Sequence, residues 1–525
     1  GVSMLLFGYE QRWIPNEGSV EPAKDQFEAG TPNVFQTATD QADFVVHPPL
    51  GKWMIALGER LFGMDNPFGW RFVACVCGTL SILMIARIAR RLFNSTLLGC
   101  VAGLLLAIDG NHIAHSRTAL LDIFVMFWAL AAFGCLVIDR DVSRKKLAAL
   151  VEAGKGNLDG RGPWLGVRWW RIAGFACVGA TAGVKWSGLY FGVAFAIMTV
   201  LWDWGALRAA GVRHWWFGAA PADELLRRVS GLVHWKASRA ERAARRAAGT
   251  EQPDPLGSGF HWTLSLVFLA LAAVFWVLVG AGLPTKIGVP ATALLAVIGV
   301  FLDLGAHREA DRGWWRKAFP VDTLQAIVTF VLVVPGVYLF TWIGWFVSKY
   351  GYDRHYVELK DANYGWSWVP ASLRSLWHYH RDAYNFHVGV KDSHPYMANP
   401  WSWIVSGRPT AFWYESPKFG EKGCQSTECT IAILPIGNPV IWWGGTLALL
   451  VLLFCWALRR DWRAGAILAG LVGGYLPWFQ YQERTIFQFY AIAFNPWMVL
   501  AVTFVIGLLL GKRSDSAVRR WNGLI

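Results

Sequence analysis

The chain is a series of apolar runs, each about long enough to cross a bilayer and each bracketed by basic residues. The run from Leu97 to Ile138 shows the pattern best, with Arg90-Arg91 before it and Arg140 to Lys146 after it. It is too long for one crossing and suits two, since a spanning helix takes about 20 residues. Its interior is broken by Asp109-Gly-Asn-His-Ile-Ala-His-Ser-Arg117-Thr-Ala-Leu-Leu-Asp122. A charge inside an apolar run is costly and marks a functional site by default. With both basic ends on one face, the Arg117 turn belongs on the other.

Of the 525 residues, 54% are hydrophobic and 16% charged, which with the runs predicts an all-α polytopic membrane protein. The net charge of +13 sits at the ends of apolar segments, so it reports topology and argues against a nucleic-acid partner. Eleven spans are expected, near 69–90, 97–114, 119–138, 168–184, 187–204, 262–281, 286–304, 321–346, 438–458, 463–480 and 487–511. Basic clusters fall between Arg87 and Arg91, Arg140 and Arg171, Arg208 and Arg246, Arg308 and Lys317, Arg459 and Arg463, and Lys512 and Arg520. One alternating path puts all six on the cytoplasmic side.

That path divides the chain into four parts. Residues 1–68 form an extracytoplasmic loop with a juxtamembrane helix. Residues 69–346 form a bundle containing a basic cytoplasmic loop, 205–260, and a hairpin inserted near 262–304. An extracytoplasmic loop, 347–437, and the C-terminal spans, 438–525, complete it. Asp203, Gly205 and Arg208 before Trp215-Trp216 are echoed by Asp303, Gly305 and Arg308 before Trp314-Trp315, which suggests the hairpin arose by insertion or duplication.

The outer segments hold the chemistry. In Val45-Val-His47-Pro-Pro-Leu-Gly-Lys52, two prolines fix an extended approach to a helix start; His47 and Lys52 either hold a phosphate or orient an acceptor, or simply begin a helix with a snorkelling lysine. Arg117 offers a planar five-donor fork for phosphate oxygens, and Asp122 either orients it or pairs with it between helices. Lys185, in Lys185-Trp-Ser-Gly, and Arg484 are further lone cations on the same face, and together the three predict a lipid-linked phosphate. Trp186 is a sugar platform or a belt residue. In Ser375-Leu-Trp-His378-Tyr-His380, the two histidines are two apart and so share no helical face, which argues against a metal. Cys424 and Cys429 stand alone in a polar loop and read as a disulfide, hence an oxidising compartment, in preference to a zinc site short of ligands.

In this order, Val-Val-His47-Pro-Pro-Leu-Gly-Lys52-Trp, His112-x-x-x-x-Arg117-Thr-Ala-Leu-Leu-Asp122, Lys185-Trp-Ser-Gly, Ser375-Leu-Trp-His-Tyr and Asn399-Pro-Trp-Ser-Trp resemble the actinobacterial protein O-mannosyltransferases. The family's version of the last motif begins with lysine. The likeness covers the chain except about 215–315. It implies a GT-C glycosyltransferase of the plasma membrane, with its site on the extracytoplasmic side. Mannose would pass from polyprenyl-phosphate mannose to Ser or Thr of secreted polypeptides, during or after translocation, with inversion in a single displacement. No cofactor is implied beyond the lipid-linked donor and the surrounding lipids, and a divalent cation stays open. The resemblance also implies a catalytic Asp-Glu pair within a Phe-Asp-Glu segment that this chain does not contain. Gly1 to Glu10 reads as the sequence following that pair, so the expectation is a chain shortened at both ends that binds donor and turns over poorly. A rival to that expectation is that Glu10 or Asp43 substitutes for the pair. Two rivals are a GT-C transferase moving another polyprenyl-phosphate sugar to lipid or cell-wall glycan, and a lipid-phosphate transporter. The transporter is disfavoured because the charges gather on one face and no mid-membrane repeat is visible.

Overall fold

Local signals start and stop the helices. The computed structural model describes residues 1–10, 42–64, 66–155, 162–210 and 320–511. The expected hairpin 262–304, the stretch 205–260 apart from 205–210, residues 11–41 of the first loop and the clusters Arg308 to Lys317 and Lys512 to Arg520 lie outside these residues. After the short α1 (Val2–Phe7) and the juxtamembrane α2 (Leu50–Phe62), α3 (Pro67–Phe93) begins where Asn66 accepts a hydrogen bond from the Phe68 amide at 2.9 Å, with Pro67 at the first turn. It ends at Asn94, in the left-handed region at φ 49°. Ser95 then caps α4 (Thr96–Ala107), and Asp109 caps α5 (Gly110–Ser116). Capping at Asp109 starts a new helix inside the apolar run, so α4 and α5 meet at a 66° bend.

The core is built by α6 (Leu121–Glu152), α7 (Trp169–Val184), α8 (Gly188–Ala209) and α9 (Val321–Thr341), closed by α14 (Pro439–Ala457), α15 (Trp462–Gly474) and α16 (Asn495–Leu510). Trp497 is fully buried against Phe133, Phe191 and Phe195. Helices α8 and α15 approach so closely that a methyl group on Gly473 would lie 2.8 Å from the Phe191 Cα. The segment between α9 and α14 holds α10 (Ile343–Val347), α11 (Tyr356–Leu359), α12 (Ala371–Gly389), α13 (Pro400–Trp403) and the antiparallel pair β1 (Trp413–Glu415) and β2 (Ile431–Ile433), in which Trp413 faces Ile433.

The expected count of eleven spans is not confirmed: two of the expected spans, 262–281 and 286–304, lie outside the described residues. Among the described residues six helices are long and apolar enough to cross a membrane, or seven if the bent pair counts as one. The expected spans at 168–184 and 463–480 are helices of 16 and 13 residues, about 24 and 20 Å, short of the ~30 Å hydrocarbon core. The second stops because Gly473-Gly474 and then Pro477 break it into a 3₁₀ segment, Leu476–Tyr481. Apolar side chains also face outward, among them Val331, Leu332 and Leu450, as a multi-pass membrane protein requires.

The antiparallel pair α6 and α7 is fastened by charges at both ends. At one end Arg168 reaches Asp139 at 2.5 Å and Asp203 at 2.8 Å, and Arg171 contacts Asp203 and the Asp322 carbonyl at 2.9 Å. Arg168 and Arg171, read from sequence as members of a loop cluster, are instead buried among four helices. At the other end Lys185 meets Asp122. Seventeen residues of α6 separate Asp122 from Asp139, about 26 Å along the axis.

Cys424 and Cys429 are bonded in the loop joining β1 to β2. Non-reducing peptide mapping is expected to recover them as one linked peptide, and free thiols there would contradict it. Closing so short a loop is worth about 2 kcal/mol in chain entropy, so the double serine variant should unfold slightly earlier.

Candidate active site

Lys185 follows the last residue of α7, where the chain turns before α8, and this geometry presents its ammonium to the first turn of α6. The Nζ lies 2.9 and 3.0 Å from the two Asp122 oxygens and 4.4 Å from the centre of the Tyr490 ring. Asp122 therefore pairs with Lys185, and the expected pairing with Arg117 does not occur. The Arg117 guanidinium, at the C-cap of α5, is exposed and makes no ion pair or hydrogen bond among the described residues.

Arg484 enters from the turn after the first 3₁₀ segment. Its Nη2 donates to His387 Nδ1 at 3.0 Å, and His387 Nε2 donates to the Val46 carbonyl at 3.0 Å. The Arg484 Nε is buried with no partner among the described residues. The His47 and His387 rings stack at 5.0 Å. Tyr379, on α12, donates to the Val45 carbonyl at 2.6 Å, so the extended Val45-Val46-His47 segment is pinned to α12 from both sides. The sequence reading missed His387 and Tyr490. Neither lies in a recognisable motif, and only the folding of α12 and the 484–490 turn onto the α6–α7 end brings them in.

Lys52 does not stand free for a phosphate. It is paired with Glu10 and donates to the His47 carbonyl at 2.6 Å, which stitches the α2 start to the preceding segment. This also occupies Glu10. Asp43 meets Glu10 through its backbone amide, 3.0 Å from the Glu10 carbonyl. Trp186 is not an open sugar platform: its indole N–H donates to Tyr338 at 2.9 Å and one face stacks on His380 at 5.3 Å. His380 in turn bonds Tyr338 at 2.5 Å. His378 points elsewhere, as the spacing predicts for positions two apart on a helix. It stacks on Tyr356 at 3.5 Å and lies 3.5 Å from a carboxylate oxygen of both Asp353 and Asp382. The donor atoms of these three residues lie within 4.8 Å of one another, so the sequence argument against a metal, which considered only His378 with His380, does not cover this grouping. Lys360 already neutralises Asp353 at 2.9 Å.

Burial holds both stacked histidines neutral. Desolvation, then the positive charges of Lys185 and its neighbours, takes His47 down to about 2; desolvation, with Arg484 and Lys185 also opposing protonation, takes His387 to about 4 against the pull of the Val46 carbonyl. Unfolded, each titrates near 6.5. Between about 6.5 and 4 the unfolded chain binds more protons, so stability falls as pH drops through that window and His47 extends the loss further. Thermal unfolding of the detergent-solubilised protein at pH 7.5, 5.5 and 4.5 should show this, and His387→Gln should flatten part of it. A profile level from pH 7.5 to 4.5 would contradict the assignment.

Residues 46–156 match the family described as dolichyl-phosphate-mannose-protein mannosyltransferase, and residues 372–506 match the C-terminal four-transmembrane region of protein O-mannosyltransferase. A polyprenol-phosphate-mannose–protein mannosyltransferase of Mycolicibacterium smegmatis is 33% identical over 92% of this chain and 74% of its own length. The chain belongs to the protein O-mannosyltransferase family. A relative of the same name from Mycobacterium tuberculosis is 32% identical over 92% of this chain and 73% of its own. One from Corynebacterium glutamicum is 27% identical over 89% and 71%. Among solved structures, the Saccharomyces cerevisiae Pmt1-Pmt2 complex bound to the sugar donor matches 100% of this chain and 83% of its own, at 11% identity and a TM-score of 0.47. Archaeoglobus fulgidus oligosaccharyltransferase AglB covers 99% and 52% at 13% identity and 0.38. Family membership makes the chain a mannosyltransferase enzyme, and its apolar helices make it a multi-pass membrane protein.

Proposed function

We propose that this protein transfers mannose from polyprenyl-phosphate mannose to Ser and Thr hydroxyls of secreted polypeptides, at the extracytoplasmic face of the plasma membrane. The observation carrying this reading is the placement of Lys185, Asp122, Arg484, His387 and Tyr490 at one end of the bundle, opposite the arginine-rich end. In the step, the acceptor oxygen forms a bond to the anomeric carbon as the bond to the phosphate oxygen breaks. The hydroxyl proton passes to a carboxylate, and the phosphate leaves with the electron pair. Lys185 and the partnerless Nε of Arg484 are the cations that stabilise that developing charge. Asp122 positions Lys185. Asp122 and Glu10 are each already engaged by a lysine.

The test is reconstitution in proteoliposomes with polyprenyl-phosphate mannose and a peptide rich in Ser, Thr and Pro, read as a hexose added to the peptide. Arg484→Gln should lower turnover about 10- to 100-fold, as loss of one charged donor to a leaving group does. Arg117→Ala should raise the donor KM without shifting the unfolding temperature, because its guanidinium holds nothing in the fold. No mannosyl-peptide from the protein, or undiminished product from both variants, would end this reading.

A further inference from the structure

A second amphiphile site lies at the other end of the bundle. Between the C-terminal half of α3 and the middle of α6, the described residues enclose an open-sided cavity of about 1110 Å³. Its apolar lining includes Met84, Ile88 and Leu130, the last fully buried, and the exposed Arg87, Arg90 and Arg91 form its rim. Arg91 is committed, to Asp141 at 2.9 Å. Arg87 and Arg90 are exposed and make no side-chain hydrogen bond or ion pair among the described residues. Three arginines against one aspartate leave the rim with two net positive charges over an apolar trough.

We propose that this cavity binds an anionic glycerophospholipid, its phosphate held by Arg87 and Arg90 and its acyl chains lying between α3 and α6. Basic pockets between membrane helices recognise such headgroups, and a guanidinium matches a phosphate diester in both charge and fork geometry. The dimensions select the occupant. From Leu130 to Asp141 the trough follows eleven residues of α6, about 16 Å, which is the depth of one leaflet of a ~30 Å hydrocarbon core. Position excludes the donor: Asp141 lies 19 residues along α6 from Asp122, about 28 Å, so the rim faces the opposite leaflet from Lys185 and Arg484. The site is thus independent of the sugar-transfer reading. It can fail while that reading stands.

The experiment is native mass spectrometry of the protein released from nanodiscs containing equal parts phosphatidylglycerol and phosphatidylcholine. The expected result is retention of one phosphatidylglycerol per chain in preference to phosphatidylcholine, reduced at least tenfold in Arg87→Gln/Arg90→Gln. A second variant, Ala131→Phe, leaves the arginines in place and fills the trough, and should lose the lipid as well. Both variants should unfold at the parent temperature in phosphatidylcholine alone, which separates lipid loss from misfolding. Equal retention of the two lipids, retention unchanged in the double variant, or a polyprenyl phosphate as the species lost from it would overturn the proposal.

Discussion

Lys185→Met is expected to reduce mannosyl transfer by about 100- to 1000-fold, the usual loss when a donor to developing charge is removed from a preorganised site. It should also destabilise the protein, because Asp122 is left buried without its partner at 2.9 Å. Breaking one side of a buried pair costs about 3 to 5 kcal/mol. The two effects separate in the double variant Lys185→Met/Asp122→Asn. There the buried carboxylate becomes a neutral amide, so unfolding temperature should recover while turnover stays low. If the pair serves only to join α6 to α7, activity returns with stability, and Lys185 has no role in the chemistry. Proteoliposome turnover and thermal unfolding, measured on the same three preparations, distinguish these outcomes.

The second large effect lies at the far end of the same helices. Arg168→Leu should abolish accumulation of folded protein. Its guanidinium reaches Asp139 at 2.5 Å, Asp203 at 2.8 Å and Asp322 at 3.7 Å, and all four side chains are within 5% of full burial. Without it Asp139 and Asp203 keep Arg171 as their ion-pair partner among the described residues, in an interior where unbalanced charge is poorly screened. A cost of about 3 to 5 kcal/mol is a large part of any domain's net stability. Arg168→Leu combined with Asp139→Leu should recover part of the loss, since the surplus negative charge then falls. Fluorescence-detected size-exclusion chromatography of the three forms would show it. An Arg168→Leu peak equal to the parent would mean that the network contributes little.

The sequence carried the positions of the chemistry better than its pairings. Lys185 and Arg484 stood out because a cation in an apolar run has few structural excuses, and each meets a buried partner in the fold. Asp122 stood out equally, but its partner was misread as the near Arg117. Five residues apart in sequence, the two straddle the break between α5 and α6, while Lys185, 63 residues away, arrives because α6 and α7 run antiparallel. His387 and Tyr490 were invisible for the same reason. Lys52 looked free because Glu10, 42 residues earlier, lies in a separate segment. Trp186 looked open because nothing in its own motif announces that His380 covers it.

What the sequence determined by itself was the solvent. Apolar runs of spanning length require lipid, and basic flanks bias one end of each run, both properties of local composition. It also carried the family, through short words whose order survives without any knowledge of contacts. The tertiary structure alone decided which charge answers which, that the expected spans at 168–184 and 463–480 are helices of 16 and 13 residues, and that Arg168 and Arg171 are interior. Such pairings depend on how antiparallel helices register over about 26 Å. That register is set by packing between distant segments, which no local stretch of sequence records.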